Sequence, residues 1–341
     1  SVDAMRAMLG VNIGPLPSGE PGNADLTEAY RRAGITQVRC HDFYGPMDMA
    51  TLYPDQNADP TRPESYQWAA SDRYWRAIVS NGFEPYLRLG DSYNAQPGYP
   101  RPQRHPRNAA NLARAMVEVV RHYSDVKLWG ETKLRYVEIW NEPDNQQFWD
   151  GTPEEFYRLY CAAATAIRQA FPKLSVGGPG FAPSGALAPR GQRMAAGFVR
   201  AARQAKAPLD FLSWHMYAND VASYDRAAEF YRGILDAEGL TATVLHVTEY
   251  HTSERGLPMA EQVALRARAR GAATLTAGWM SLQRHDVREA MVYRGPDPSM
   301  NAPQFYGLFY ANGSPKRTGL AVSLWSELCR YGQRAKTESS R

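Results

Sequence analysis

Short apolar runs alternate with longer stretches of helical period along this chain, the pattern of a sheet assembled from βα units. Eight runs read as strands: MLGVNIG from Met8, ITQVRCH from Ile35, EPYLRLG from Glu84, LRYVEIW from Leu134, LSVGG from Leu174, DFLSWHMY from Asp210, TVLHVTEY from Thr243 and EAMVYRG from Glu289. A helical pattern follows each: LTEAYRRAG, SDRYWRAIVSNG, NAANLARAMVEVVRHYS, PEEFYRLYCAAATAIRQAF, MAAGFVRAARQA, YDRAAEFYRGILDAEG, the long MAEQVALRARARGAATLTAGWMSLQRH, and TGLAVSLWSELCRYG. Apolar residues recur three and four apart in these, and ends such as Asn81-Gly82 predict C-caps.

The pattern predicts an α/β protein, a single (β/α)8 TIM barrel over residues 1–333 with little or no accessory β-domain, and a disordered tail over 334–341. The structural alternative, a doubly wound sheet, needs a phosphate loop such as GxGxxG after the first strand. NIGPLPSGEPG has Gly10 just before it and Gly14 within it, but it lacks that spacing and contains prolines. Longer loops after strands two, three and eight would lie at the C-terminal rim of the barrel, and their Tyr, Asn, Asp and Arg content suits a polar cleft.

The net charge of +4 comes from scattered arginines, which argues against nucleic acid as a partner. No apolar run approaches the roughly 18 residues of a membrane span. Cys40, Cys161 and Cys329 are odd in number, far apart and without CxxC spacing, so neither a disulfide framework nor a thiolate metal site is expected. No HExxH occurs, and the scattered His215, His246 and His251 make a poor metal set. The chain opens at Ser1 without a charged-then-apolar leader, so any signal peptide is expected to have been removed or never to have existed. A secreted or periplasmic location is favoured over a cytoplasmic one.

Two strands end on a glutamate. Glu142 closes LRYVEIWNEP, where Pro143 predicts an extended backbone for it, and Glu249 closes HVTEY three strands further round the barrel. Two carboxylates on facing barrel strands can stand about 5 to 5.5 Å apart, the spacing of a nucleophile and an acid/base in retaining glycoside hydrolysis. The competing reading of each is a solvated loop residue or half of an ion pair.

These residues carry a resemblance. VEIWNEPDNQQFWDGTPEEFYRLYCAAATAIRQAFPKLSVGGPG and HVTEYHTS resemble glycoside hydrolase family 39, within the clan of (β/α)8 retaining glycosidases that places an Asn-Glu-Pro acid/base at the end of strand four and a nucleophile at the end of strand seven. The resemblance implies Glu142 as acid/base, Glu249 as nucleophile and Asn141 as a partner of the sugar 2-OH. It makes Arg39 a positive charge near the nucleophile, His41 and His215 further site residues, and Tyr217 a hydrogen-bond partner of Glu249. It implies no cofactor and an oligosaccharide or polysaccharide substrate. Xylosidase-like cleavage of a β-glycosidic bond is the familiar activity, with exopolysaccharide or arabinoside cleavage as an alternative. A carbohydrate-binding barrel without turnover is the alternative from another class. Strand eight departs from the clan, which usually places a tryptophan there: the chain presents Tyr293 and Arg294, the latter suited to an acidic sugar or to a surface ion pair. Phe148 and Trp149 follow the acid/base and are expected either to wall the cleft or to pack in the core.

Overall fold

All eight predicted strands form, and they close into one parallel barrel. They are β1 (Gly10–Asn12), β2 (Gln37–Arg39), β3 (Glu84–Leu89), β4 (Tyr136–Ile139), β5 (Ser175–Phe181), β6 (Phe211–Tyr217), β7 (Val244–His251) and β8 (Glu289–Val292), with β8 pairing back onto β1. The computed structural model describes residues 3–18, 23–91, 106–331 and 333–334. Helices α1 (Thr27–Ala33), α2 (Ala69–Val79), α3 (Ala109–Tyr123), α4 (Pro153–Ala170), α5 (Pro189–Gln204), α6 (Val221–Ala237), α7 (Ala269–Arg284) and α8 (Arg317–Cys329) follow the strands in turn.

Local chemistry sets the element ends. Helix α2 finishes in a Schellman arrangement on Gly82 (φ +79°), where the Gly82 and Phe83 amides donate to Val79 and Ile78, as the Asn-Gly pair predicts. Helix α4 starts with Pro153 behind a reciprocal Thr152–Glu155 capping box and buries Phe156, Leu159, Tyr160, Ala163, Ala164 and Ile167, one helical face.

The long pattern from Met259 does not give one helix. It breaks at Arg268 (φ −112°, ψ 177°) into Met259–Ala267 and α7. Just before the break Arg266 is buried and donates to the Thr252 hydroxyl, the Thr252 carbonyl and Glu254, with its guanidinium 3.6 Å from the Tyr306 ring centre. The polar tail expected from residue 334 begins differently: Gln333–Arg334 pairs antiparallel with Asp3–Ala4, and residues 335–341 lie outside the described residues.

The lumen is apolar at its floor and charged above it. Tyr86, Tyr136, Phe211 and Met291 fill the floor, where His246 stacks on Phe211 at 4.4 Å and meets the Tyr86 hydroxyl at 3.0 Å. The larger core lies between the barrel and its helices. Above this floor stand Arg39 from β2, Glu138 from β4 and Glu249 from β7.

Candidate active site

Arg39 organises the centre of the rim. Its side chain is fully buried and every arm of its guanidinium is engaged. Nε donates to Glu138 Oε2 (2.6 Å), Nη1 to Glu249 Oε1 (2.8 Å) and Asn12 Oδ1 (3.0 Å), and Nη2 to Asn141 Oδ1 (2.8 Å). Two carboxylates hold this guanidinium well above its already high usual pKa despite the cost of burial. Arg39→Met would leave Glu138 and Glu249 buried and unpaired, so a loss of about 3–5 kcal/mol is expected in urea unfolding.

Glu249 sits where a register shift puts it. Trp214 pairs with Val247 but His215 pairs with Glu249, so β7 carries one extra residue, Thr248. A bulge of this kind re-aims side chains: Thr248 Oγ1 donates to Glu138 Oε1 (2.8 Å) while its neighbour Glu249 also faces the lumen. The other oxygen of Glu249 accepts from the Tyr217 hydroxyl at 2.6 Å, and His41 Nε2 stands 3.7 Å from Oε1. His41 Nδ1 is buried without a partner, and burial beside Arg88, Arg39 and Arg294 drives this imidazole well below its usual pKa, so it is neutral.

Glu142 has a different environment. Its backbone is not extended but left-handed (φ +46°), a conformation costing on the order of 1–2 kcal/mol. The Glu142 amide donates to Gly180 and the Glu142 carbonyl accepts from Asn145, so the turn after the strand overrides the preference set by Pro143. Its carboxyl meets His215 Nδ1 at 2.8 Å and the Asn145 amide at 3.1 Å. Burial pushes it up to about 7, against the pull of that amide and of Arg39. Burial likewise lowers His215 to about 4, so the imidazole is neutral at pH 7. A raised carboxyl pKa makes the native state hold a proton the unfolded chain has lost, so this contribution to stability is present at low pH and fades as pH rises through about 7. Glu142→Gln is therefore expected to raise the melting temperature more at pH 8 than at pH 5, measured by calorimetry.

Glu142, His215 and Glu249 each bring a donor atom within 4.8 Å of the others. Such a trio could grip a cation only with Glu142 ionised, which burial disfavours. His246 and His251 do not join it: the first lies in the lumen floor and the second contacts Thr252.

Several expected sugar contacts need correction. Trp149 takes the core-packing role: it is buried, packs edge-on against Trp140 (5.2 Å) and Phe156 (5.4 Å), and its indole donates to the Thr152 carbonyl, while it also lines a cavity with Pro143, Asp144 and Met194. Phe148 is buried as well, and its amide and that of Trp149 both donate to the Asn145 carbonyl in the turn. Trp149→Ala should cost about 3–5 kcal/mol of stability while leaving KM nearly unchanged, a pairing that a sugar platform would reverse. An aromatic wall does exist, made by Tyr293, Tyr217 and Tyr306 with ring centres 5.4 to 6.2 Å apart. Tyr306 comes from the loop after β8, beyond the reach of strand-end reasoning. Arg294 is buried rather than a surface ion-pair partner. Its Nε has no hydrogen-bond partner, it pairs with no carboxylate among the described residues, and it interacts with the Tyr293 hydroxyl. The loop folds back over it, with Arg294 pairing through its backbone to Tyr306 and Leu308.

Several known proteins resemble this chain in sequence and fold. A β-xylosidase of Geobacillus stearothermophilus is 24% identical over 263 residues, 69% of this chain and 50% of that protein. The chain thus spans about half the length of this curated relative. A glucosidase from Croceicoccus marinus superposes with a TM-score of 0.75 at 28% identity, over 96% of this chain and 68% of the other. The family 39 enzyme from Xanthomonas axonopodis pv. citri, at 19% identity over 96% of this chain and 67% of its own, shares the fold with a TM-score of 0.72. The model of glycosyl hydrolases family 39 matches residues 18–249, a span that includes Arg39, Asn141 and Glu142 and ends on Glu249, and the chain belongs to that family.

Proposed function

We propose that this chain, as a single (β/α)8 catalytic domain over residues 1–333, is a retaining β-glycosidase working by double displacement. The observation that carries the reading is a pair of carboxylates with donor atoms within 4.8 Å and with opposed environments. Glu249 is held by Arg39 and Tyr217, whereas Glu142 is kept near pH 7 by burial. Glu249 attacks the anomeric carbon as the Glu142 proton passes to the leaving oxygen, and the glycosidic C–O bond breaks to give a glycosyl ester on Glu249. Esterification removes a negative charge, so Glu142 then ionises more readily and takes a proton from the water that hydrolyses the ester.

Asn141 is set for the sugar 2-OH. Arg39 occupies its Oδ1 and orients the amide, leaving Nδ2 as the donor. His41, Tyr217 and Tyr293 form the remaining sugar contacts, while fully buried His215 acts on Glu142. Aryl β-xylosides and β-glucosides are the first substrates to try, given a xylosidase and a glucosidase among the similar proteins. Proton NMR of the first product tests the mechanism: the β-anomer should appear before mutarotation, and an initial α-anomer would exclude double displacement. A barrel that binds sugar without turnover would release no aryl group from any of them.

One observation favours a second reading, an acidic group on the sugar or an adjoining residue. Arg294 is buried beside Tyr293 without a carboxylate partner among the described residues, and such a guanidinium suits a uronate. An aryl β-glucuronide cleaved faster than the xyloside, with the preference lost in Arg294→Gln, would support it.

A further inference from the structure

Beneath the two reacting carboxylates lies a third that double displacement does not use. Glu138 occupies an inward position of β4 and is fully buried. Oε2 accepts from Arg39 Nε at 2.6 Å and Oε1 from the Thr248 hydroxyl at 2.8 Å. A Cβ on Gly180 (φ +64°) would stand 3.3 Å from Glu138 Oε1 and 2.9 Å from His215 Nε2, so glycine there lets carboxylate and imidazole close in together. The opposite nitrogen of that imidazole meets Glu142. This carboxylate thus reaches Glu249 and Asn141 through Arg39, while His215 Nε2 stands near it without a hydrogen-bond partner.

We propose that Glu138 is a positioning residue for the reaction, fixing the Arg39 fork so that Nη1 meets Glu249 and Nη2 meets Asn141, and balancing the guanidinium charge felt by both reacting carboxylates. The inference rests on the retaining reading of Glu142 and Glu249. A guanidinium is a rigid plane, so anchoring Nε fixes where the other arms point. Freed from Glu138, Arg39 could turn to grip Glu249 with two arms, which stabilises the ionised nucleophile and blunts its attack.

The titratable and charged groups facing Glu138 are Arg39 from β2, Tyr86 from β3, His215 from β6 and, across Arg39, Glu249 from β7; β1 offers Asn12 and β5 a glycine. Burial keeps Tyr86 and His215 neutral, which leaves Arg39 as the cation of the group. With glutamine at 138 its charge acts on Glu142 without compensation, and that carboxyl releases its proton at lower pH.

The test follows kcat/KM against pH for wild type, Glu138→Gln and Glu138→Leu with an activated aryl β-glycoside. Alongside it, carboxyl titrations are read by NMR on protein carrying ¹³C-carboxyl glutamate, with Glu142 and Glu249 assigned from their glutamine variants. In Glu138→Gln the basic limb of the profile and the Glu142 titration should move to lower pH by about one unit. In Glu138→Leu kcat should fall about 10- to 100-fold while KM moves less. The glutamine variant keeps the side-chain shape and carries the test if the leucine variant does not fold. A basic limb and a Glu142 titration left unmoved, with only a lower melting temperature, would make Glu138 a structural ion-pair partner and overturn the proposal. Because the titrations need no turnover, a wild type that cleaves no glycoside would defeat the retaining reading while the NMR still decides what Glu138 does to the two carboxyls.

Discussion

Glu249→Ala is expected to lower kcat/KM by about 10⁴-fold or more on every substrate the wild type cleaves, with the fold intact. The loss follows from position: Glu249 is the nucleophile placed at the lumen by the bulge at Thr248 and held by Arg39 and Tyr217. Glu138 cannot replace it, because it is locked below on Arg39 and Thr248. Azide should enter the vacated space and attack from the nucleophile's face, giving an α-glycosyl azide from a β-glycoside. Retention of more than a tenth of the activity would assign the nucleophile to another residue.

Glu142→Ala should show the complementary pattern. For a substrate with a poor leaving group, such as an alkyl glycoside, the fall should be about 10³-fold, because the departing alkoxide then goes unprotonated. A dinitrophenyl glycoside needs no such help, so its first step should be nearly unaffected, with turnover limited by the ester on Glu249. Azide should relieve that ester from the opposite face and give a β-glycosyl azide. In the wild type kcat/KM should decline as pH rises above about 7, where buried Glu142 loses its proton, and this basic limb should vanish in the alanine variant. Equal losses on both substrates, with the basic limb retained, would remove Glu142 from the acid role.

The barrel was legible because its strands and helices differ in period, and burial in a parallel sheet leaves apolar runs that no other element needs. The pair of glutamates was legible because each interrupts such a run at its end. Glu138 was missed for the opposite reason: it stands inside a run, although a carboxylate alternating with Tyr136 in a buried strand demands a partner across the lumen. Thr248 and Glu249 both facing inward could not be foreseen, since strict alternation forbids it and a bulge has no fixed residue signature in a parallel pair. Trp149 was adjacent to the acid/base in sequence but not in space, because the turn at Asn145 reverses the chain into the packing of α4. Tyr306 reached the site through a loop whose path depends on a bridge from Phe309 to Pro296 and Pro315, information spread over some twenty residues.

The most direct test of double displacement at this site is covalent capture. Incubation with 2-deoxy-2-fluoro β-glycosides bearing a good leaving group, followed by peptide mass spectrometry, should find one sugar bound to the peptide containing HVTEYHTS, on Glu249. The sugar that labels fastest names the occupant of the site. A label on Glu142 or Glu138, or release of the leaving group with no covalent adduct, would contradict the account.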